Sequence, residues 1–125
     1  MKTTMKTILA AGVMLTASFG FAAPSAAENV DKVYQFYCTQ CHGADGAGKG
    51  INVTEDFPVT PRAFTNAVEM SKLTDADIVN VIKEGGPITG KSAMMPPWSK
   101  TISEEDTKAL LAKLRELCKC QGPAG

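Results

Sequence analysis

Five consecutive residues, Cys38-Thr39-Gln40-Cys41-His42, restrict this chain more than any other feature of its sequence. The histidine is the only one in 125 residues, and the two cysteines are half of the four present. A single histidine excludes a multi-histidine metal centre within one chain and confines histidine-dependent nucleophilic catalysis to that position. The C-x-x-C-H spacing itself is the signature of covalent c-type haem attachment. Two thiols one helical turn apart can each add across one of the two haem vinyl groups, and the imidazole that follows is then placed to reach the iron. Three other readings compete with it. A thioredoxin-like dithiol should lie near a βαβ pattern, which is absent. A zinc knuckle needs a fourth ligand, and the remaining cysteines, Cys118 and Cys120, lie far along the chain. A structural Cys38–Cys41 disulfide leaves His42 without a role.

The N-terminal stretch gives the motif its compartment. Lys2 and Lys6 precede an uncharged, mostly apolar run from Ile8 to Phe21, followed by the small residues Ala22-Ala23-Pro24-Ser25-Ala26-Ala27. This three-part layout predicts a secretory signal peptide over residues 1–27, cleaved after Ala27, with Ala22 and Ala23 as alternative sites. The run falls short of the ~20 residues needed to span a bilayer, so no integral membrane span is expected. Export usually turns four cysteines into two disulfides, but the C-x-x-C-H context assigns Cys38 and Cys41 to haem instead. Thirteen Lys/Arg balance thirteen Asp/Glu, leaving no basic field for nucleic acid. Losing Lys2 and Lys6 makes the expected mature chain, residues 28–125, mildly acidic.

Hydrophobic periodicity then predicts an all-α domain. Val30, Val33, Tyr34 and Tyr37 fall at i, i+3, i+4 and i+7, an amphipathic helix running into the attachment motif. Residues 43–65 are glycine-rich, carry Pro58 and Pro61, and read as a long loop. A loop of that length in a compact domain implies something to wrap, and a haem edge would account for it. A short helix is expected over 66–72 with Val68 or Met70 inward. Thr74 and Asp77 predict a capping-box start for a helix burying Ile78, Val79, Val81 and Ile82, which stops at Gly85-Gly86-Pro87. Residues 87–102 read as a loop containing Met94-Met95-Pro96-Pro97-Trp98. A last helix starts at Ser103 with three acidic residues in its first turn, buries Leu110, Leu111 and Leu114, and carries Lys113, Arg115 and Lys119 towards its end.

In that order, a helix ending in C-x-x-C-H, a proline loop, a Met-Pro loop and a C-terminal helix, the chain resembles a class I c-type cytochrome of the small bacterial monohaem kind. The resemblance covers about residues 28–118. It implies a small cytochrome c fold, with the N- and C-terminal helices packed across each other around one covalently bound haem c. It also implies a methionine as the second axial ligand opposite His42. The family's ligand directly precedes a proline, which favours Met95 over Met94, while Met70 reads as a core filler. A loop-proline carbonyl is expected to accept the Nδ1–H of His42, from Pro61 or, second, Pro58. Arg62 and Trp98 are expected to donate to a haem propionate, against the plainer reading of Arg62 as a solvated charge. Phe64, Tyr34, Leu110 and Leu114 read as core.

The function implied is periplasmic electron transfer between respiratory redox partners of unknown identity, not enzymatic catalysis, because an iron held by His and Met has no open position. Lys49, Lys91 and Lys100 are candidates for a ring at an exposed haem edge, against simple solvation. Two alternatives stand beside the free shuttle: a dedicated haem subunit of a larger redox or maturation complex, and a peroxidase or gas sensor with a labile Met95. The resemblance leaves Cys118 and Cys120 unused in the tail, residues 118–125. Cys118 continues the Leu111–Leu114 face and Cys120 lies beyond the helix. The pair predicts a labile Cys118–Cys120 bridge or, second, a Cys120-linked dimer, with no metal site.

Overall fold

The computed structural model of the chain describes residues 26–124. The expected leader therefore lies outside the described residues except for Ala26 and Ala27, where the first helix already begins. The helices are α1 (Ala26–Val33), α2 (Thr39–His42), α3 (Ala67–Met70), α4 (Asp75–Glu84) and α5 (Glu104–Cys118). A π-helical turn, Tyr34–Cys38, joins α1 to α2, and a 3₁₀ turn, Gly86–Thr89, follows α4. Among the described residues there is no strand. The all-α expectation holds.

The helices α3, α4 and α5 start where the sequence provides a cap. Thr74 and Asp77 form a reciprocal capping box, with the Thr74 hydroxyl accepting from the Asp77 N–H and the Asp77 carboxylate accepting from the Thr74 N–H. Ser103 accepts from the Asp106 N–H at the start of α5, and Asn66 accepts from the Glu69 N–H at the start of α3. Of the two residues expected inward on the short helix, Met70 is buried at 1 % exposure while Val68 is 68 % exposed.

The core lies where α1 and α4 pack against α5. Val30 and Tyr34 meet Leu110, Leu114 and Cys118 there, with Ile78, Ile82 and Met70 filling the other side. Polar contacts fix the α1–α5 crossing at its rim. Lys113 Nζ lies 2.6 Å from an Asp31 carboxylate oxygen and 5.2 Å from the centre of the Tyr34 ring. Asn29 hydrogen-bonds Asp106. Lys83 bonds Glu104 at 2.6 Å, tying α4 to the start of α5.

The π turn departs from the uninterrupted helix expected over 29–37. It adds one residue to a turn, so the stripe that faces α5 is not continued beyond it. Val30 and Tyr34 stay on the α5 side, whereas Tyr37, Cys38, Cys41 and His42 turn to a different surface, the wall of a cavity. The 3₁₀ turn is the other departure, within a stretch expected to be loop.

Candidate functional site

That cavity has a volume of about 760 Å³ and a largely apolar wall, within the roughly 300–1,000 Å³ typical of cofactor sites. Both thiols of the attachment motif, the His42 ring and Met95 line it. Ile78, Ile82 and Leu114 line it as well, together with the aromatic Tyr37, Phe57 and Trp98.

The loop after α2 fixes His42 through the backbone. A helix leaves its last four carbonyls without intrahelical partners, and here each has a donor. Thr39 accepts from the Gly43 N–H (2.9 Å), Gln40 from Asn52 (2.9 Å), Cys41 from Gly50 (2.9 Å) and His42 from Gly48 (2.8 Å). The donors at 48, 50 and 52 alternate along the loop, so one short stretch satisfies three of the four carbonyls at the helix end. Gly48 is needed at its position: it holds φ at 75°, and a β-carbon there would stand 2.6 Å from the Pro61 carbonyl oxygen.

This close approach explains a correction. The carbonyl expected from Pro61, or second from Pro58, comes from Arg62, whose oxygen lies 3.0 Å from His42 Nδ1. Successive carbonyls of extended chain point to opposite sides. The Pro61 oxygen faces Gly48, so the next one turns to the histidine. Phe64 stacks on the His42 ring with centroids 4.3 Å apart and planes 21° apart, and its N–H donates to the Gly46 carbonyl at 2.6 Å. Phe64 therefore supports the imidazole rather than serving only as core filler. With Nδ1 fixed on a carbonyl, Nε2 is the nitrogen left for a ligand. Burial holds the His42 pKa below its ordinary value, partly offset by the hydrogen bond to Arg62, which favours the neutral imidazole that ligates metals.

The methionine loop is pinned to the end of α4. Gly86 donates to the Met95 carbonyl at 2.9 Å, Trp98 donates to Ile82 at 3.1 Å, and Ser99 donates to Lys83 at 3.1 Å. Met95 is half-buried and Met94 is 50 % exposed, and both reach the cavity wall. Trp98 packs on Tyr37 with ring centres 5.2 Å apart. Arg62 lies on the cavity wall, its guanidinium 3.8 Å from the Glu69 carboxylate. Of the three lysines expected at a docking edge, Lys91 lines the cavity; Lys49 and Lys100 do not.

Cys38 and Cys41 are unbridged, and burial pushes the Cys38 thiol up to about 11. A large apolar cavity with two adjacent thiols, one oriented imidazole and a thioether on its walls matches the donor set of a c-type haem. No group of three or more His, Cys, Asp and Glu residues that could bind a bare metal ion occurs among the described residues.

Two features were not foreseen. Arg115 is 7 % exposed rather than a free charge near the helix end. It donates to the Met70 carbonyl (2.9 Å), the Leu73 carbonyl (2.7 Å) and the Asp75 carboxylate (2.9 Å), and Met70 and Leu73 both line the cavity. Periodicity could not reveal this, because its partners are backbone carbonyls at the α3–α4 turn, far from Arg115 in the chain. The second feature is the location of the carbonyl that bonds His42.

Residues 25–112 match the family model described as "Cytochrome C oxidase, cbb3-type, subunit III". Among solved structures, the chain is similar to the KustC0563 c-type cytochrome, with 31 % identity over 70 % of this chain and 94 % of that one, at a TM-score of 0.56. It is also similar to a chain of the reducing HAO-like protein complex Kustc0457/Kustc0458 of Kuenenia stuttgartiensis, with 26 % identity and a TM-score of 0.55. That match covers 77 % of this chain but 43 % of the other, so this chain spans under half of that relative. No curated protein sequence matches the chain significantly.

Proposed function

Since the chain belongs to the cytochrome c domain family described as cytochrome c oxidase, cbb3-type, subunit III, and so is a small c-type cytochrome with a haem c electron-transfer role, we propose that it is a periplasmic electron carrier. One haem c would be held covalently by Cys38 and Cys41, with His42 and Met95 as the protein ligands to its iron. The observation that carries this reading is the convergence of Cys38, Cys41, His42 and Met95 on one apolar cavity.

When bound, the haem supplies a one-electron couple at its iron. The protein does the rest. The two thiols anchor the cofactor so that it is not lost outside the cell. The Arg62 carbonyl holds the imidazole tautomer and Phe64 holds its plane, so Nε2 stays directed to one position. Ile78, Ile82, Leu114 and Trp98 exclude water from the cavity. Met95 as the second protein ligand would leave no open position for substrate, and Met/His ligation would raise the reduction potential of the bound haem. Arg62 and Trp98 supply donors on the cavity wall for the propionates. Export by residues 1–27 delivers the chain to its compartment, and no helix among the described residues is long and apolar enough to cross a membrane.

A second reading, a dedicated haem subunit of a larger redox complex, is favoured by the similarity to a chain of a multiprotein complex. Purification from native periplasm under mild conditions separates the two. A free shuttle elutes alone, whereas a subunit elutes with a stoichiometric partner. The function itself is tested by stopped-flow oxidation and reduction with small redox mediators. Rapid, reversible one-electron cycling without carbon monoxide binding supports it, while fast carbon monoxide binding to the reduced protein at neutral pH contradicts the closed His/Met iron.

A further inference from the structure

The end of α5 carries chemistry that electron transfer at the cavity does not use. Cys118 and Cys120 are joined as a disulfide across a single residue. A ring closed over so short a stretch confines the backbone. Lys119 between them sits at φ 51°, the only non-glycine residue in the described chain with positive φ, a conformation that costs a residue bearing a β-carbon about 1 kcal/mol.

The two sulfurs have different surroundings. Cys118 is buried in the core, beside Leu114. Cys120 is half-buried and lines an open hollow of about 560 Å³, which shares no wall residue with the haem cavity. Lys108, Arg115 and Lys119 outnumber Asp75 and Glu116 around this hollow, so its local charge suits an approaching thiolate. The tail beyond the bridge is packed rather than loose. The Cys120 N–H donates to the Arg115 carbonyl at 3.3 Å. Gly122 lies so close to the Arg115 guanidinium and the Leu73 carbonyl that a β-carbon there would strike both.

We propose that the Cys118–Cys120 bridge is a thiol–disulfide exchange site that takes two electrons from a dithiol reductant, attacked at Cys120 through this hollow. A thiolate of the reductant attacks Cys120 Sγ and forms a mixed disulfide. The Cys118–Cys120 bond breaks, and its electron pair leaves on Cys118 Sγ, which takes up the proton the attacking thiol has lost. The second thiol of the reductant then attacks its partner sulfur in the mixed disulfide, closing the reductant's own disulfide and giving its proton to Cys120 Sγ. Two electrons and two protons have passed to the chain. The ring is open, and the tail from Lys119 onward is released from Arg115.

The test uses the full mature protein with its haem, at neutral pH and without denaturant. It is treated separately with dithiothreitol and with glutathione, quenched in acid, alkylated and mapped by peptide mass. The proposal expects dithiothreitol to make both Cys118 and Cys120 alkylatable in the native protein. It expects the glutathione adduct on Cys120, not on Cys118. Tryptic cleavage after Lys119 should accelerate at least ~tenfold on reduction, because the released tail becomes a locally unfolded segment. With oxidised glutathione, Cys118→Ser should take up glutathione at Cys120, and Cys120→Ser should remain unmodified unless unfolded. A bridge that yields only after denaturation, glutathione found on Cys118, or free thiols that do not close with oxidised glutathione overturns the proposal. Peptides containing Cys38 and Cys41 report haem attachment separately in the same map, so failure there is distinguishable.

Discussion

Replacing Arg115 with Ala tests how the wall of the haem cavity is held. The substitution removes three sets of contacts at once: Nη1 to the Met70 carbonyl at 2.9 Å, Nη2 to the Leu73 carbonyl at 2.7 Å, and Nε and Nη2 to one Asp75 oxygen at 2.9 and 2.8 Å. The Asp75 side chain is 60 % exposed, so solvent screening reduces the ion pair itself to under about 1 kcal/mol. The carbonyls dominate. The Met70 oxygen keeps the Leu73 N–H at 3.2 Å, so losing the guanidinium there costs about 1 kcal/mol, while the half-buried Leu73 oxygen loses its hydrogen-bond donor at a cost of about 1–3 kcal/mol. The expected loss is therefore about 2–4 kcal/mol, a fall in Tm of roughly 10–25 °C for a domain this small. Thermal unfolding of the haem-loaded protein at neutral pH, followed by far-ultraviolet circular dichroism, reads it. Asp75→Asn should cost under about 1 kcal/mol, and Arg115→Lys should fall between the two, keeping the charge but not the planar fork. A Tm within about 2 °C of wild type for Arg115→Ala, or an equal loss for Asp75→Asn, would refute the assignment of the stabilisation to the carbonyls.

Other substitutions probe the site and its frame. Met95→Ala should abolish the near-infrared sulfur-to-iron band of the oxidised protein and lower its reduction potential, while Met94→Ala leaves both nearly intact; the reverse result moves the ligand to Met94. Thr74→Ala should cost about 1 kcal/mol at neutral pH by removing the α4 cap, measured by denaturant unfolding. Thr74, chiefly through its side chain and then its backbone N–H, holds the Asp77 carboxyl below its ordinary range. That contribution is complete above the ordinary carboxylate value and is lost as pH falls through the lowered one. The stability gap between wild type and Asp77→Asn should therefore close below about pH 4, and a gap unchanged by acid would contradict the capping role.

What could be read from the sequence was whatever depends on neighbours along the chain. The Thr74–Asp77 cap, the Ser103 start and the α5 stripe are local patterns, and the structure reproduces each. The all-α class followed from them. Choices between adjacent residues were less legible. Pro61 and Arg62 differ by one peptide unit, and their roles depend on which carbonyl Gly48 crowds. The π turn at Tyr34–Cys38 has no marker in hydrophobic periodicity, because its residues continue an ordinary helical composition. Arg115 looked like a helix-end charge because its partners, the Met70 and Leu73 carbonyls, lie some forty residues earlier in the chain. Phe64 was placed in the interior correctly in kind, but its stacking on His42 depends on the path of the loop.

The central claim is that Cys38, Cys41 and His42 hold one covalent haem. The most direct measurement is acid–acetone extraction of the purified protein followed by a pyridine haemochrome spectrum and an intact mass. The account predicts that one haem per chain remains with the wild-type protein after extraction and none with the Cys38→Ala/Cys41→Ala double variant. Haem that extracts freely from the wild-type protein, or haem retained by the double variant, would contradict it.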